Sequence, residues 1–423
     1  MAQLNVSQAT AIMKEKLLPS IGVLFGYEDA LCSWIPMGKG TPVSTRAMRI
    51  ALDAAPGGIT SFVDLNGGAN LAGTGSLYDV ATVTTVAMAH DRQVTRRAIE
   101  ACNSEDKALE NLFKKELKKA MKEFKTMIDK QLQVSSDGVL ATLYSNQSGA
   151  TYNAHDSVTP SNTPFGIQLL RANNAYSIYA SDLVTLRAGG PYSIVQASGL
   201  DWTNRRVTFN AAITGYAAND VVVLQNGISA SLNGLPYHVN NSASGTWQGI
   251  SRASEYTQAR GINAGNVALS LDHMRLAINA VVQRKGTAED VLSKLTPYTG
   301  LPQEHAYANL IESVLDVKKG GTYNESADLY FSKMTAMGKE FKLNTNADPT
   351  KIQYLEKSSF GWAMLKPIGF FEADGVTIFP VISGGVPSNV LWFQLDFEGQ
   401  LHCTDPTNLV YIYSLAQPAG YLP

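Results

Sequence analysis

Residues that could bind a metal ion or act in acid–base catalysis are dispersed along this sequence. Its six histidines stand singly, without HxH or HxxxH spacing: His90, His155, His238, His273, His305 and His402. Glu304-His305 lacks a second ligand nearby, and Asp272-His273 falls in the first turn of a predicted helix, where it is typical of a cap. A sequence-distant Ser-His-Asp triad stays open, but there is no GxSxG turn to support one. We therefore predict no catalytic, cofactor-binding or metal-binding residues, and no enzyme.

The glycine-rich stretch Gly67–Gly75 is the segment most similar to a phosphate-binding loop. It lacks the Lys-Ser/Thr pair of such loops, and a β-branched run follows it instead of a helix N-terminus. The stretch therefore predicts a flexible loop tip and no nucleotide site.

Composition narrows the class of protein further. The chain has 423 residues, a net charge of −2 and only 17% charged residues, against about 25% in typical domains. This favours either a surface covered by partner subunits or a β-rich protein with polar, uncharged faces, and it argues against binding nucleic acid through bulk charge. Cys32, Cys102 and Cys403 are too few and too scattered for a disulfide framework, and no apolar run is long enough to span a membrane.

Ser104–Gln133 is the most strongly patterned segment. Its apolar residues recur at helical spacing: Leu109, Leu112, Phe113, Leu117, Ala120, Met121, Phe124, Ile128 and Leu132. Asn103 or Ser104 can cap the first turn, and no Gly or Pro interrupts the run. The pattern predicts a helix about 45 Å long, at about 1.5 Å per residue, that serves as a spine for a β-rich chain.

Lysines form a basic face on this predicted spine. They are Lys107, Lys114, Lys115, Lys118, Lys119, Lys122, Lys125 and Lys130. Two interpretations stay open: a solvated face with pairs such as Glu110–Lys114 and Lys125–Asp129, or a surface that meets a polyanion or an acidic partner. Glu116 and Glu123 reduce the excess charge, whereas Arg92, Arg96 and Arg97 add to it.

Before the spine, the sequence pattern predicts a short helix, an extended arm and a two-stranded β ribbon. Residues 5–18 have a helical pattern and residues 20–40 read as an extended arm. Met48–Leu52, Ile59–Leu65 and Asp79–Ala89 read as strands around a glycine-rich tip. A two-stranded ribbon is only marginally stable alone, so this one needs its own domain or a neighbouring subunit to lie on.

After the spine, the sequence pattern predicts a β region and then a region of mixed α and β structure. We expect a turn at Asp137–Leu143 and a linker at residues 145–164. Five short strands follow, which indicate a small sandwich or barrel: Ser177–Tyr179, Leu183–Ala188, Ser193–Ala197, Arg206–Asn210 and Asp220–Leu224.

Helical periodicity returns towards the C-terminus. Helices are predicted at Ser270–Lys285 and from Pro302 onwards. Between them, a capping box at Thr287–Asp290 predicts a further helical segment, Val291–Leu295. Strands then return at Val376–Ile382, Val390–Leu395 and Leu409–Ser414.

This order of parts resembles the major capsid protein fold of tailed bacteriophages, which encapsulin shells share. Val94–Ala101 resembles the entry into the spine of those proteins, Ala212–Val223 resembles the β domain that some of them carry as an insertion, and Leu232–Leu235 and Gly249–Arg252 resemble the return into the axial domain. The resemblance implies an α+β fold with an N-terminal arm, an extended β-hairpin loop, a spine helix, peripheral and axial domains, and a small all-β insertion.

The resemblance also implies boundaries for these parts. We expect the arm at 1–39, the extended loop at 40–92, the spine with part of the peripheral domain at 93–150, the β insertion at 151–240, the axial domain with peripheral segments at 241–395, and a C-terminal β return at 396–423. Lysine cross-linking through the extended loop, known in some members, is not expected, since no Lys lies between Lys39 and Lys107.

The partners that the resemblance implies are those of a virion shell. We expect self-assembly through hexamers and pentamers into an icosahedral shell around double-stranded DNA, with non-specific DNA contacts, a separate scaffolding protein and a portal; a decoration protein is an open option. The expected location is the virion, after assembly in the host cytoplasm, without membrane contact. Two alternatives stay open: a phage tail or fibre component with a carbohydrate-binding β module, and a hydrolase with a β accessory domain.

Overall fold

The computed structural model describes most of the chain. The described residues are 30–35, 37, 41–42, 46–55, 57–60, 73, 75–95, 106–155, 166–194, 197–228, 230–253, 260–285, 293–318, 335–336, 339–372, 376–383 and 386–418. The predicted helix at 5–18, the capping box at Thr287–Asp290, and Arg96 and Arg97 lie outside them. Within the described ranges, no helix combines the length and the hydropathy of a membrane-spanning segment.

Helices and strands are numbered in chain order. The helices are α1 (Ala30–Trp34), α2 (Asp106–Gln131), α3 (Leu235–His238), α4 (Leu271–Lys285) and α5 (Leu301–Lys318). The strands of the N-terminal half are β1 (Thr41–Pro42), β2 (Ala47–Ala55), β3 (Leu77–Thr84), β4 (Val86–Thr95), β5 (Val139–Leu143), β6 (Ser145–Ser148), β7 (Thr151–Asn153), β8 (Ala175–Tyr179), β9 (Tyr192–Ser193), β10 (Leu200–Asp201), β11 (Arg206–Thr208) and β12 (Asp220–Leu224). Those of the C-terminal half are β13 (Thr246–Trp247), β14 (Ile250–Ser251), β15 (Arg260–Val267), β16 (Leu295–Thr299), β17 (Thr335–Ala336), β18 (Lys339–Glu340), β19 (Lys342–Leu343), β20 (Ile352–Glu356), β21 (Phe360–Phe370), β22 (Phe379–Ser383), β23 (Val386–Cys403) and β24 (Val410–Leu415).

The predicted spine is α2, a helix of 26 residues. Its apolar stripe packs into the largest core of the described chain, where Ala120, Phe124, Ile128 and Leu132 are almost fully buried. The side chain of Phe113 lies outside the described part. The predicted buried stripe is therefore confirmed for the C-terminal half of the helix.

A five-stranded sheet forms the other wall of this core. The 18-residue strand β23 pairs with β21 and β22, β4 pairs antiparallel with β23 from Val86↔Gly399 to Thr95↔Val390, and β1 adds in parallel to β21. Aromatic side chains of this sheet fill the space beneath α2, because a strand with one buried face alternates apolar and polar residues. Trp362 and Phe397, 5.7 Å apart in an edge-to-face pair, are examples.

The predicted two-stranded ribbon is present, with altered bounds. β2 and β3 pair antiparallel from Ala47↔Thr84 to Ala55↔Leu77. The prediction of one strand over Asp79–Ala89 was wrong, because the run divides at Thr85 and each part pairs with a different sheet. The strand predicted at Ile59–Leu65 was also wrong at Ile59 and Thr60, which are not in a strand, while residues 61–65 lie outside the described chain.

The region after the spine holds more paired structure than the sequence predicted. The turn expected at Asp137–Leu143 ends at Gly138, whose φ of +74° suits glycine, and β5 follows it directly. The expected linker contains β6 and β7, because β7 is paired on both sides and its Tyr152 is fully buried.

Two four-stranded sheets share a core in this region. Their strand orders are β10-β11-β7-β6 and β5-β12-β8-β9. The strand predicted at Leu183–Ala188 was wrong, because Asp182 accepts the amides of Val184 and Thr185 in a turn and only Leu186 bridges to Tyr179. The strand predicted at Ser193–Ala197 was wrong at Ile194 and Ala197, which are not in a strand, while residues 195–196 lie outside the described chain.

The C-terminal region is mixed α and β, as predicted. α4 packs on a sheet of order β15-β24-β20-β16-β19, with Met274, Ala277, Ile278 and Val281 in the interface. Leu295, expected on a helix, begins β16 instead and pairs with Glu356 of β20.

The extended arm expected over residues 20–40 was wrong at residues 30–34. These residues form α1, which packs on α2 because Leu31 and Cys32 are buried in the central core.

Candidate assembly surface

One face of the β2–β3 ribbon is exposed from Ala47 to Asp53 and across to Tyr78. Directly opposed residues of an antiparallel pair share a face, and successive residues alternate. Eight exposed residues make up this outward face: Ala47, Arg49, Ala51, Asp53, Tyr78, Val80, Thr82 and Thr84. Tyr78 is 70% and Val80 is 50% exposed. Exposed apolar side chains on a long ribbon are typical of a surface that contacts another protein.

The opposite face of the ribbon lies on the central core. Ala81 and Val83 are buried, and Ile50 and Leu52 pack against that core. The Thr82 amide donates to the Gln248 carbonyl at 2.7 Å, which fastens β3 to the β13–β14 hairpin. The described ribbon is therefore supported by its own chain along one face and presents only the other outward.

A single residue separates β3 of the ribbon from β4 of the central sheet. Thr85 lies between β3 and β4, and its amide donates to the Arg46 carbonyl at 2.8 Å. Its hydroxyl lies 3.4 Å from Glu398 Oε1, and Arg46 Nε lies 3.2 Å from the same oxygen. Thr85, Arg46 and Glu398 together form what we call the ribbon hinge.

A buried carboxylate on α2 connects three parts of the chain. Glu123 forms ion pairs with Arg92 of β4 and with Arg171, whose Nη2 lies 2.6 Å from Glu123 Oε2, and His90 Nε2 lies 3.6 Å away. Arg92 also pairs with Glu116. Burial by itself would raise the pKa of Glu123, but His90, Arg171 and Arg92 lower that pKa well below its ordinary value.

A second buried carboxylate, Asp129, fastens α1 to the spine. Its Oδ1 accepts the amides of Leu31 at 2.8 Å and Cys32 at 3.3 Å, and its Oδ2 accepts Nδ2 of Asn344 at 2.8 Å and of Asn346 at 3.3 Å. Desolvation raises the pKa of Asp129, and these four hydrogen bonds oppose that rise. The predicted surface pair Lys125–Asp129 was therefore wrong.

The predicted basic face is narrower than the sequence suggested. Lys130 is not on it, since its Nζ donates to the Leu170 carbonyl at 3.0 Å and burial lowers the pKa of Lys130 to about 8. Arg92 is neutralised by carboxylates of α2. Lys118, Lys122 and Lys125 are exposed.

Two of the six histidines are buried close enough to influence each other. His238 and His402 are buried, and the Trp247 indole N–H lies 3.3 Å from His238 Nδ1. Burial lowers the pKa of His238 to about 3, with a contribution from His402, and burial lowers the pKa of His402 to about 4. Among the described residues, no group of three or more His, Cys, Asp or Glu side chains converges as a metal site would require.

A cavity of about 510 Å³ lies between α1 and the start of β21. Ile35, Phe360 and Trp362 line it, together with Glu356. The Glu356 carboxylate accepts hydrogen bonds from Ser358 and from Asn408, so its oxygens serve the local fold.

Comparison with known proteins identifies the fold. No protein-family model matches the sequence, and no curated protein sequence matches it. A chain in the solved capsid asymmetric unit of cyanophage A-1(L) superposes with a TM-score of 0.58 at 13% identity, over 96% of this chain and 98% of that one. This chain has the fold of a phage capsid protein. The predicted α+β capsid fold is thereby confirmed.

Other capsid chains align over similar lengths. A chain of the native GTA particle capsid gives a TM-score of 0.47 at 10% identity over 96% of both chains. A chain of the capsid of Myoviridae phage XM1 gives 0.44 at 10% identity, over 94% of this chain and 96% of that one. At these identities the similarity concerns the fold.

Sequence reasoning missed the two buried carboxylates as connection points of this capsid fold. Glu123 was only counted against the basic charge of the spine, and Asp129 was paired with Lys125 in the interpretation of a solvated face. A signal was available, because Glu123 precedes Phe124 and Asp129 follows Ile128 within the apolar stripe. A charged residue so close to a buried stripe is often paired internally.

Proposed function

We propose that this chain is a non-enzymatic capsid subunit that assembles through hexamers and pentamers into an icosahedral shell around double-stranded DNA. The observation that carries the proposal is the superposition on the cyanophage A-1(L) capsid chain over nearly the full length of both chains. One fold can serve several functions, so a proposal of function needs a second observation beside the fold. The exposed face of the ribbon is that observation. Its apolar Tyr78 and Val80 gain by association with a second copy.

The proposal assigns parts of the chain to roles in that shell. The ribbon would overlap a neighbouring subunit, α2 and the β23 sheet would form the peripheral domain, and α4 with its sheet would form the axial domain. The β insertion, predicted at 151–240, would instead consist of the two sheets within residues 139–224. Their separate core, which includes Leu140, Tyr152 and Ile178, supports this division.

The proposed partners and location follow from the same role. The subunit would assemble in the host cytoplasm with a scaffolding protein and a portal, and would end in the virion with packaged DNA. A decoration protein would bind from outside.

Electron microscopy of the purified full chain, alone and with its co-expressed upstream gene product, tests this function. Closed particles tens of nanometres across are expected. Tubes, rings or trimers would instead favour a tail or fibre component, and small oligomers under every condition would contradict the shell. Deletion of Gly67–Gly75 should preserve subunit folding and lower particle yield; an unchanged yield would remove the ribbon from the assembly contact.

A further inference from the structure

The charges of α2 are sorted onto two faces. All three carboxylates among its described side chains are turned into the protein: Glu116 and Glu123 pair with Arg92, and Asp129 holds α1. On the other side Lys118, Lys122 and Lys125 are exposed. The exposed face therefore carries positive charge that Glu116, Glu123 and Asp129 of the same helix do not offset.

The three exposed lysines form a regular row, which we call the lysine row. They lie four and three residues apart, so they share one face of the helix and span about 10 Å at about 1.5 Å per residue. Along one strand of duplex DNA, phosphates follow each other every 3.4 Å or so of helix axis. A row of this length therefore faces about three phosphates of one strand.

The surroundings of the row disfavour a protein as its partner. A protein interface has an apolar centre, and none of the large apolar side chains described for α2 is among the exposed ones. The net charge of −2 also means that the chain as a whole does not attract a polyanion, so attraction must be local.

We propose that Lys118, Lys122 and Lys125 contact the phosphate backbone of double-stranded DNA, so that this side of the spine faces the packaged genome. The proposal rests on the proposed shell function for its setting. Binding is independent of base sequence, since ammonium groups on flexible stems neutralise phosphates without reading base edges.

The test compares the full-length soluble chain with the triple variant K118Q/K122Q/K125Q. Fluorescence anisotropy measures binding to a short labelled DNA duplex over a series of salt concentrations. Each lost phosphate contact should reduce the slope of log K against log salt by about 0.9, so the variant should lose about 2.7. The variant K294Q/K339Q/K357Q, which removes three lysines elsewhere, is the matched control and should keep the wild-type slope.

Two further variants and measurements keep the outcomes distinct. K118R/K122R/K125R preserves the charges and should restore the slope, and thermal unfolding of both variants of the lysine row should match the wild type because Lys118, Lys122 and Lys125 are exposed. A wild-type chain that does not bind the duplex at low salt, or an unchanged slope in K118Q/K122Q/K125Q, overturns the proposal. Particle counts by electron microscopy are recorded separately, so a failure to form shells counts against the proposed function while the binding slope still decides this one.

Discussion

Replacement of Asp129 tests whether a buried carboxylate holds α1 on the spine. In Asp129→Ala, the amides of Leu31 and Cys32 and the side-chain amides of Asn344 and Asn346 lose their acceptor in a buried site. Each buried group that loses its hydrogen-bond partner costs about 1–3 kcal/mol. Part of this cost is offset, because the charge of the Asp129 carboxylate no longer has to be desolvated. We expect a net loss of about 3–5 kcal/mol in the free energy of unfolding, which is typical when one partner of a buried charged network is removed.

Asp129→Asn should cost about half as much. Its carbonyl oxygen can still accept from Leu31 and Cys32, but its NH₂ group would meet the NH₂ group of Asn344. Rotation of the Asn344 amide would relieve that contact and would break the 2.8 Å bond from the Asn346 amide to Asn344 Oδ1. The loss should therefore be about 1.5–3 kcal/mol, from one or two hydrogen bonds to a buried group.

Denaturant unfolding and amide hydrogen exchange measure both effects. The Leu31 and Cys32 amides should lose protection in Asp129→Ala and keep most of it in Asp129→Asn. Asp272→Ala is the control, because Asp272 is exposed and its change should stay within about 0.5 kcal/mol. Equal protection of the two amides in wild type and Asp129→Ala would refute the reasoning, as would a loss below about 1 kcal/mol in that variant.

Three further predictions concern the core, acid stability and the ribbon. Phe124→Ala should cost about 3–5 kcal/mol in the free energy of unfolding, because Phe124 is 1% exposed in the central core; a loss below about 1 kcal/mol in denaturant unfolding would contradict this. The pKa of His238, about 3, and that of His402, about 4, lie below the value of about 6.5 in an unfolded chain, so the unfolded state binds more protons. The contribution of each histidine to the free energy of unfolding is complete above about pH 7 and is smaller by about 2–3 kcal/mol at pH 4.5. When unfolding is measured from pH 7.5 to 4.5, the free energy of unfolding should therefore decline less steeply in His402→Gln than in the wild type. Tyr78→Ser with Val80→Ser should leave the melting temperature of the subunit nearly unchanged and reduce particle yield, and particles formed at wild-type yield would exclude this face from the contact.

The long patterned elements could be predicted from the sequence. The stripe of α2 and that of α4 have clear helical periods, because one face of each is buried against a sheet. β12 was predicted with its observed bounds, Asp220–Leu224, since its run of valines lies in the interior of a sheet.

The elements that the sequence did not reveal depend on distant partners. β6 and β7 are polar strands that exist because β11 pairs with β7, and α1 forms where Asp129, nearly 100 residues away, accepts its amides. The division at Thr85 depends on the pairing of β4 with β23. Local patterns do not identify such distant partners, and the position of Glu123 and Asp129 beside the apolar stripe indicates burial without showing which residues they bind.

The ribbon hinge gives the subunit a mechanical property. β4 is held along ten residue pairs to β23 and is fastened to α2 through Arg92, whereas β3 is held by the buried side chains of Ala81 and Val83 and by the hydrogen bond from the Thr82 amide to the Gln248 carbonyl. Thr85 therefore separates a strand that is held by sheet pairing from a strand that is held by packing on the core, and a change in the tilt of the ribbon would break the 2.7 Å hydrogen bond between Thr82 and Gln248. In the proposed shell, the contacts of Ala81, Thr82 and Val83 would resist a change in ribbon tilt between subunits that meet at different angles, while β4 and its sheet keep their pairing.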